Sequence, residues 1–87
     1  MQNSAKDQKT SELKLINLNT RSYLNNRNAL EYLILSNKFD ILIFTETWLN
    51  KPISIPTTRY KYIDLLSIGR GQGIRIIIRS NYYTKII

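Results

Sequence analysis

The 87-residue chain contains no cysteine and no histidine. The first absence excludes disulfides and thiolate metal sites, and it fits a reducing compartment. The second removes the commonest general base and the commonest transition-metal ligand together. No apolar run approaches the length of a membrane span. Residues Met1 to Glu12 are polar and carry Lys6 and Lys9 with no apolar segment behind them, which excludes a signal peptide. They read as a disordered leader on a protein expected in the nucleus or cytoplasm, with no membrane partner. Acidic residues are also scarce: 6 Asp+Glu against 13 Lys+Arg leave a net charge of +7. Such a charge favours polyanionic partners through long-range attraction, and it equally serves as a solvated basic surface.

What is present looks globular. Apolar residues make up 43% and charged residues 22% of the chain, unlike a disordered composition. A chain this short fits at most one small domain with a marginal core.

Order is expected from Leu13, in two different halves. Leu13 to Asn19 is short and apolar, as a strand would be. Asn25 or Asn26 is placed to cap a helix over Arg27 to Ser36, in which Ala29, Leu30, Leu33 and Ile34 recur at helical spacing. Asn37 suits its C-terminal end, because Asn tolerates the left-handed conformation. Asp40 to Thr45 is a second apolar strand, so strand, helix and strand read as a βαβ unit of the α/β class. Pro52 and Pro56 mark Lys51 to Arg59 as loop. Tyr60 to Leu66 and Ile74 to Arg79 are β-prone and separated by the glycines of Gly69-Arg70-Gly71-Gln72-Gly73, which predicts a hairpin. Ile74, Ile76 and Ile78 then share one face, and Arg75, Ile77 and Arg79 the other. Tyr82 to Ile87 begins a further β-prone segment.

A right-handed crossover brings the ends of two parallel strands to one sheet edge, where open α/β sheets bind ligands. Asn19 and Glu46 would converge there, about 5 Å apart if the strands pair directly. An amide oxygen and a carboxylate form a reasonable half-site for Mg²⁺, a hard cation that prefers oxygen. Asn at a strand end also serves as a turn residue, and Glu46 beside Thr45 and Thr47 also serves as a solvated carboxylate. Asp40 reads as structural. Trp48 suits either a stack on a base or packing against a loop. Arg21, Arg70, Arg75 and Arg79 are candidates for phosphate contacts. The arginines that flank Ile76-Ile77-Ile78 also guard that run against aggregation. The glycine turn lacks a Lys-Ser/Thr ending and precedes a strand, so it is no P-loop.

Two blocks carry a family likeness. Leu18-Asn19-Thr20-Arg21-Ser22, followed by a helix and then Asp40-Ile41-Leu42-Ile43-Phe44-Thr45-Glu46-Thr47-Trp48-Leu49, resembles the start of the endonuclease/exonuclease/phosphatase family, which includes DNase I and the apurinic endonucleases. Within it, the sequence is most similar to the endonuclease domain that precedes reverse transcriptase in LINE-type (non-LTR) retrotransposons. Gly69-Arg70-Gly71-Gln72-Gly73-Ile74 is similar to the glycine turn that enters the next strand of those domains. The match runs from about Leu13 to Arg79. It departs from the family at Gln72, which interrupts a triple glycine, at Arg75, where a small apolar residue is usual, and at Asn26, where lysine is common.

The resemblance implies residues 13–87 as the N-terminal portion of a DNase I-like α/β sandwich, behind a leader over residues 1–12. It implies Glu46 as a ligand of Mg²⁺ (or Mn²⁺) and Asn19 as a residue that positions the metal or the phosphate. It implies DNA as substrate, phosphodiester hydrolysis as reaction, and a reverse transcriptase domain in a longer parent protein. The family's later Asp-x-Asn pair and its terminal Asp and His would lie beyond Ile87. The chain alone is therefore expected to be inactive and, with one sheet face uncovered, only marginally stable. A small basic nucleic-acid-binding module, or an inactive remnant, is the alternative.

Overall fold

Residues 15–19 alternate between two environments, with Ile16 and Leu18 half-buried and Leu15, Asn17 and Asn19 exposed. This period of two makes them a strand, β1 (Leu15–Asn19). The computed structural model describes residues 12–69 and 71–86. The expected leader up to residue 11, together with Arg70 and Ile87, lies outside the described residues.

After β1 comes a short 3₁₀ turn, Leu24–Asn26, which runs into helix α1 (Arg27–Leu35). Leu30 and Ile34, four residues apart, are its buried residues. Ala29, expected on the same stripe, is exposed. Asn37 adopts φ 61° and its N–H donates to the Ile34 carbonyl at 3.3 Å, closing the helix as the sequence predicts. The capping expectation at the other end needs correction. Neither Asn25 nor Asn26 caps α1 with its side chain. Ser22 Oγ accepts the Asn25 N–H instead, while Asn26 Nδ2 reaches back to the carbonyls of Thr20 and Ser22.

Strands β2 (Ile41–Thr45), β3 (Tyr60–Leu65) and β4 (Ile74–Arg79) complete a four-stranded sheet in the order β1-β2-β4-β3. β1 and β2 are parallel, with Leu15 opposite Ile41 and Asn19 opposite Thr45, so the βαβ unit is real. β4 is antiparallel to both β2 and β3, which makes β3–β4 the expected hairpin. One sheet face carries the core. Leu42, Phe44 and Ile77 are fully buried there with Tyr23 and Ile34, and each such side chain contributes about 1.5–3 kcal/mol through burial. The other face carries Ile41, Ile43, Ile63, Ile74 and Ile76, half-buried, with Leu15 and Leu65 exposed.

The last segment departs from expectation. Ser80–Ile86 is a helix, α2, not the start of a strand. Its β-branched and aromatic residues favour a strand only where a partner exists. Ser80 pairs with the Arg59 carbonyl, one residue before β3 begins, so the ladder ends there and the backbone turns to bonds within itself.

Candidate functional site

The parallel register carries Asn19 and Glu46 to one edge. Asn19 Nδ2 donates to Glu46 Oε2 at 2.7 Å, while Asn19 Oδ1 accepts the Arg21 N–H at 3.2 Å. The two bonds use opposite ends of the amide and so fix its orientation: the N–H faces the carboxylate and the oxygen faces away.

The loops after β1 and β2 are laced together. Ser22 N–H donates to the Glu46 carbonyl and Tyr23 N–H to the Thr47 carbonyl, each at 2.9 Å. Thr20 Oγ1 lies 3.0 Å from the Thr45 carbonyl and 3.1 Å from that of Glu46. Four residues here hold left-handed backbone: Arg21 (φ 46°), Ser22 (φ 91°), Glu46 (φ 52°) and Trp48 (φ 59°). Each such conformation costs a non-glycine residue about 1–3 kcal/mol, so the tethers must hold them. Strain of this kind collects at functional sites, and here it collects around one carboxylate.

A third loop closes on the same edge. Thr47 N–H donates to the Gly73 carbonyl at 3.1 Å, Trp48 N–H to the Gln72 carbonyl at 2.8 Å, and Ser67 N–H to the Leu49 carbonyl at 2.7 Å. Gly73 has φ 98°, and a Cβ there would stand 2.5 Å from Thr47 Oγ1 and 3.2 Å from the Trp48 nitrogen. The glycine permits this close approach of two backbones. Trp48, Asn50, Ser67, Ile68 and Gly69 line an open concavity of about 370 Å³ beside it.

The donor set suits a hard cation in part. Among the described residues no three His, Cys, Asp or Glu side chains gather into a metal cluster. Mg²⁺ is commonly held by one or two carboxylates with waters and substrate phosphates, so a single oriented glutamate fits as the protein's share. Asn19, whose Oδ1 accepts the Arg21 N–H, orients the Glu46 carboxylate through Nδ2.

The arginines separate. Arg21 is exposed at this edge, and Arg70 lies outside the described residues. Arg75, expected among the phosphate contacts, requires correction because its side chain is fully buried on the core face. It pairs with Asp64 through Nε and Nη2 at 2.7 and 2.8 Å and also donates to the Ile53 carbonyl. Its guanidinium sits between the rings of Tyr23 and Tyr62, 4.8 and 4.7 Å from their centroids. Burial lowers its pKa, but the Asp64 hydrogen bond and charge outweigh it and the net shift is upward. Arg79 is engaged as well, by Asp40 at 2.7 Å, the Asn37 carbonyl at 2.9 Å and the Tyr60 ring at 5.3 Å. It lies at the far end of β4, where Ile78 faces Ile41 at the start of β2, away from Glu46. Asp40 is structural, as expected: the Lys14 N–H and then Arg79 hold its carboxyl below the usual range.

Sequence reasoning missed Thr20, Ser22, Asn26 and Gln72. For the first three the available signal was the run of small hydroxyl and amide residues between β1 and α1, whose side chains bond main chain rather than solvent.

No family model and no curated protein matches the sequence. Among solved structures, the fold is similar to the AP endonuclease LMAP from Leishmania major, at TM-score 0.64 and 22% identity. The likeness covers 93% of this chain and 28% of that one. It shows a mixed α/β arrangement of the DNase I-like kind: a βαβ unit followed by a hairpin.

Proposed function

We propose that this chain supplies the metal-side part of a Mg²⁺-dependent DNA endonuclease domain, of the kind that precedes reverse transcriptase in non-LTR retrotransposons. The observation that carries the reading is the Asn19–Glu46 contact at 2.7 Å on a strained edge tethered by two other loops. The fold shared with an AP endonuclease supports it, as does the Thr45-Glu46-Thr47-Trp48-Leu49 block at that edge. Asn19 holds the Glu46 carboxylate in one orientation, and exposed Arg21, on the loop after β1, adds positive charge to the same edge without pairing with it. Bound Mg²⁺ would stabilise negative charge on the phosphate and the leaving oxygen. In-line attack also needs groups on the opposite side of the phosphate, and the 87 residues contain no histidine for that role. The chain spans 28% of the length of the AP endonuclease it resembles. Efficient nicking by these residues alone is therefore not expected.

The test uses Mn²⁺ as a paramagnetic probe of the 87-residue chain. Amide signals of residues 19–21 and 46–48 should broaden at submillimolar Mn²⁺, and Glu46→Gln should abolish the effect. Broadening that ignores Glu46→Gln overturns the metal site. The net charge of +7 favours a second reading, a basic DNA-binding module without catalysis. Tight, salt-sensitive DNA binding indifferent to both Mg²⁺ and Glu46→Gln would select it.

A further inference from the structure

The outer edge of β3 has no partner strand among the described residues. Beside the start of that strand lies an open cavity of about 260 Å³. It is remote from the candidate site. Tyr60 pairs with Arg79 at one end of β4, whereas Ile74 at the other end meets Thr45. The intervening length of strand is about 17 Å.

The walls of this cavity are fixed from behind. Buried Arg75 donates to the Ile53 carbonyl at one end of the loop before β3. Ser80 ties down the other end, its Oγ donating to the Thr58 carbonyl at 2.8 Å and its N–H to the Arg59 carbonyl at 2.8 Å. Tyr60 OH donates to the Phe39 carbonyl at 2.7 Å, and Thr57 Oγ1 accepts the Arg59 N–H at 3.1 Å. The other polar side chains of the lining have no such partner. Ser54, Thr58, Tyr62 and Tyr83 bring hydroxyls and Lys61 an ammonium, and none of these groups makes a hydrogen bond among the described residues.

Each of these groups can donate, no Asp or Glu lines the cavity, and Arg59 stands exposed next to Thr58. That combination selects an anion, and several donors around one ammonium suit the oxygens of a phosphate. The volume lies just below the range for drug-sized ligands, about 300–1,000 Å³. It suits one nucleotide and not a duplex. The rings of Tyr62 and Tyr83, with the apolar side chain of Ile55, add surface on which a base can stack. We infer that this cavity binds a single phosphorylated nucleoside, with its phosphate on Lys61 and the Ser54 and Thr58 hydroxyls and its base against the tyrosines. The ligand is a free nucleotide or the phosphorylated end of a strand, and the chemistry recognised is the same. The site is independent of Glu46: it neither needs the metal nor fails with it.

The test follows amide resonances of the 87-residue chain during titration with thymidine 5′-monophosphate, thymidine, inorganic phosphate and a 5′-phosphorylated oligothymidine. The monophosphate should shift the amides of residues 54–62 and 83, and thymidine at the same concentration should not. Lys61→Gln should weaken binding about five- to tenfold, and Thr58→Val about threefold. Both replaced side chains are exposed, so urea denaturation should be unchanged by either. Glu46→Gln should leave the titration as it was. Tighter binding of the oligonucleotide than of the monophosphate supports the site with a strand end as its ligand; the reverse order supports it with a free nucleotide. Thymidine binding as well as its monophosphate, or inorganic phosphate binding as well as either, overturns it. Shifts that survive both Lys61→Gln and Thr58→Val, or that appear only at residues 19–21 and 46–48, also overturn it and leave the reading of Glu46 standing.

Discussion

β2 carries a carboxylate just outside each end, and the two are treated in opposite ways. Asp40, before the strand, accepts the Lys14 N–H at 2.8 Å and pairs with Arg79 at 2.7 Å. Glu46, after the strand, is met by an amide N–H from Asn19, on a backbone in a conformation that costs free energy. At the first end the protein neutralises its own acid and locks three segments together. At the second it orients an acid and brings no guanidinium to it among the described contacts. The fold pairs Asp40 with a cation; it holds Glu46 in one orientation without one, as the proposed metal site requires.

This contrast can be broken at several points. The largest effect should come from between the two ends, where Arg75 and Asp64 form a buried pair. Asp64→Ala strands a buried guanidinium and should cost about 3–5 kcal/mol in urea denaturation. A cost under about 1 kcal/mol would mean that the tyrosine rings alone suffice for Arg75.

Next is Gly73→Ala, which sets a Cβ against Thr47 Oγ1 and forces φ 98° on a side chain. It should destabilise by about 2–3 kcal/mol and loosen the Glu46 edge, read as faster amide exchange at residues 46–49. Unchanged exchange there would show that the third loop does not hold that edge.

The smallest and most direct comparison is Asp40→Asn against Glu46→Gln. Asp40→Asn should cost about 1–2 kcal/mol near neutral pH. Because the folded protein holds the Asp40 carboxyl below its ordinary 3.8, its contribution is complete above that value and is lost as pH falls through the lower folded pKa. The wild-type stability curve should therefore fall more steeply below about pH 4 than that of Asp40→Asn. Glu46→Gln should lie within about 0.5 kcal/mol of wild type. If the two substitutions cost the same, the distinction between the ends is lost.

Much of this fold is legible in the sequence, because it depends on local pattern. The strand runs, the spacing of Leu30 and Ile34, the left-handed Asn37 and the glycine turn each specify their element within a few residues. The convergence of Asn19 and Glu46 is legible too, since a βαβ unit brings both strand ends to one edge whatever fills the rest of the sheet. The residue contacts that define the site were not legible in this way. That Asn19 turns its N–H toward Glu46 depends on the Arg21 N–H, and the left-handed backbone at Glu46 depends on donors from the loop after β1 and carbonyls from the loop before β4.

The arginines show where local reading stops. Alternation put Arg75 and Arg79 on one face, correctly, but alternation carries no information about which face is covered. That was decided by α1 and Tyr23, which pack on the arginine side, and by Asp64, which arrives from the edge strand to meet the charge. The same holds for Ser80–Ile86, whose strand-forming residues became a helix because β3 begins too late to pair with them. The sequence by itself determined the elements, their order and the edge at which an acid and an amide meet, since these follow from periodicity and the handedness of the chain. Which polar groups are buried, which are braced and which are left facing solvent was settled only by tertiary structure, because each depends on partners that other elements of the fold bring to it.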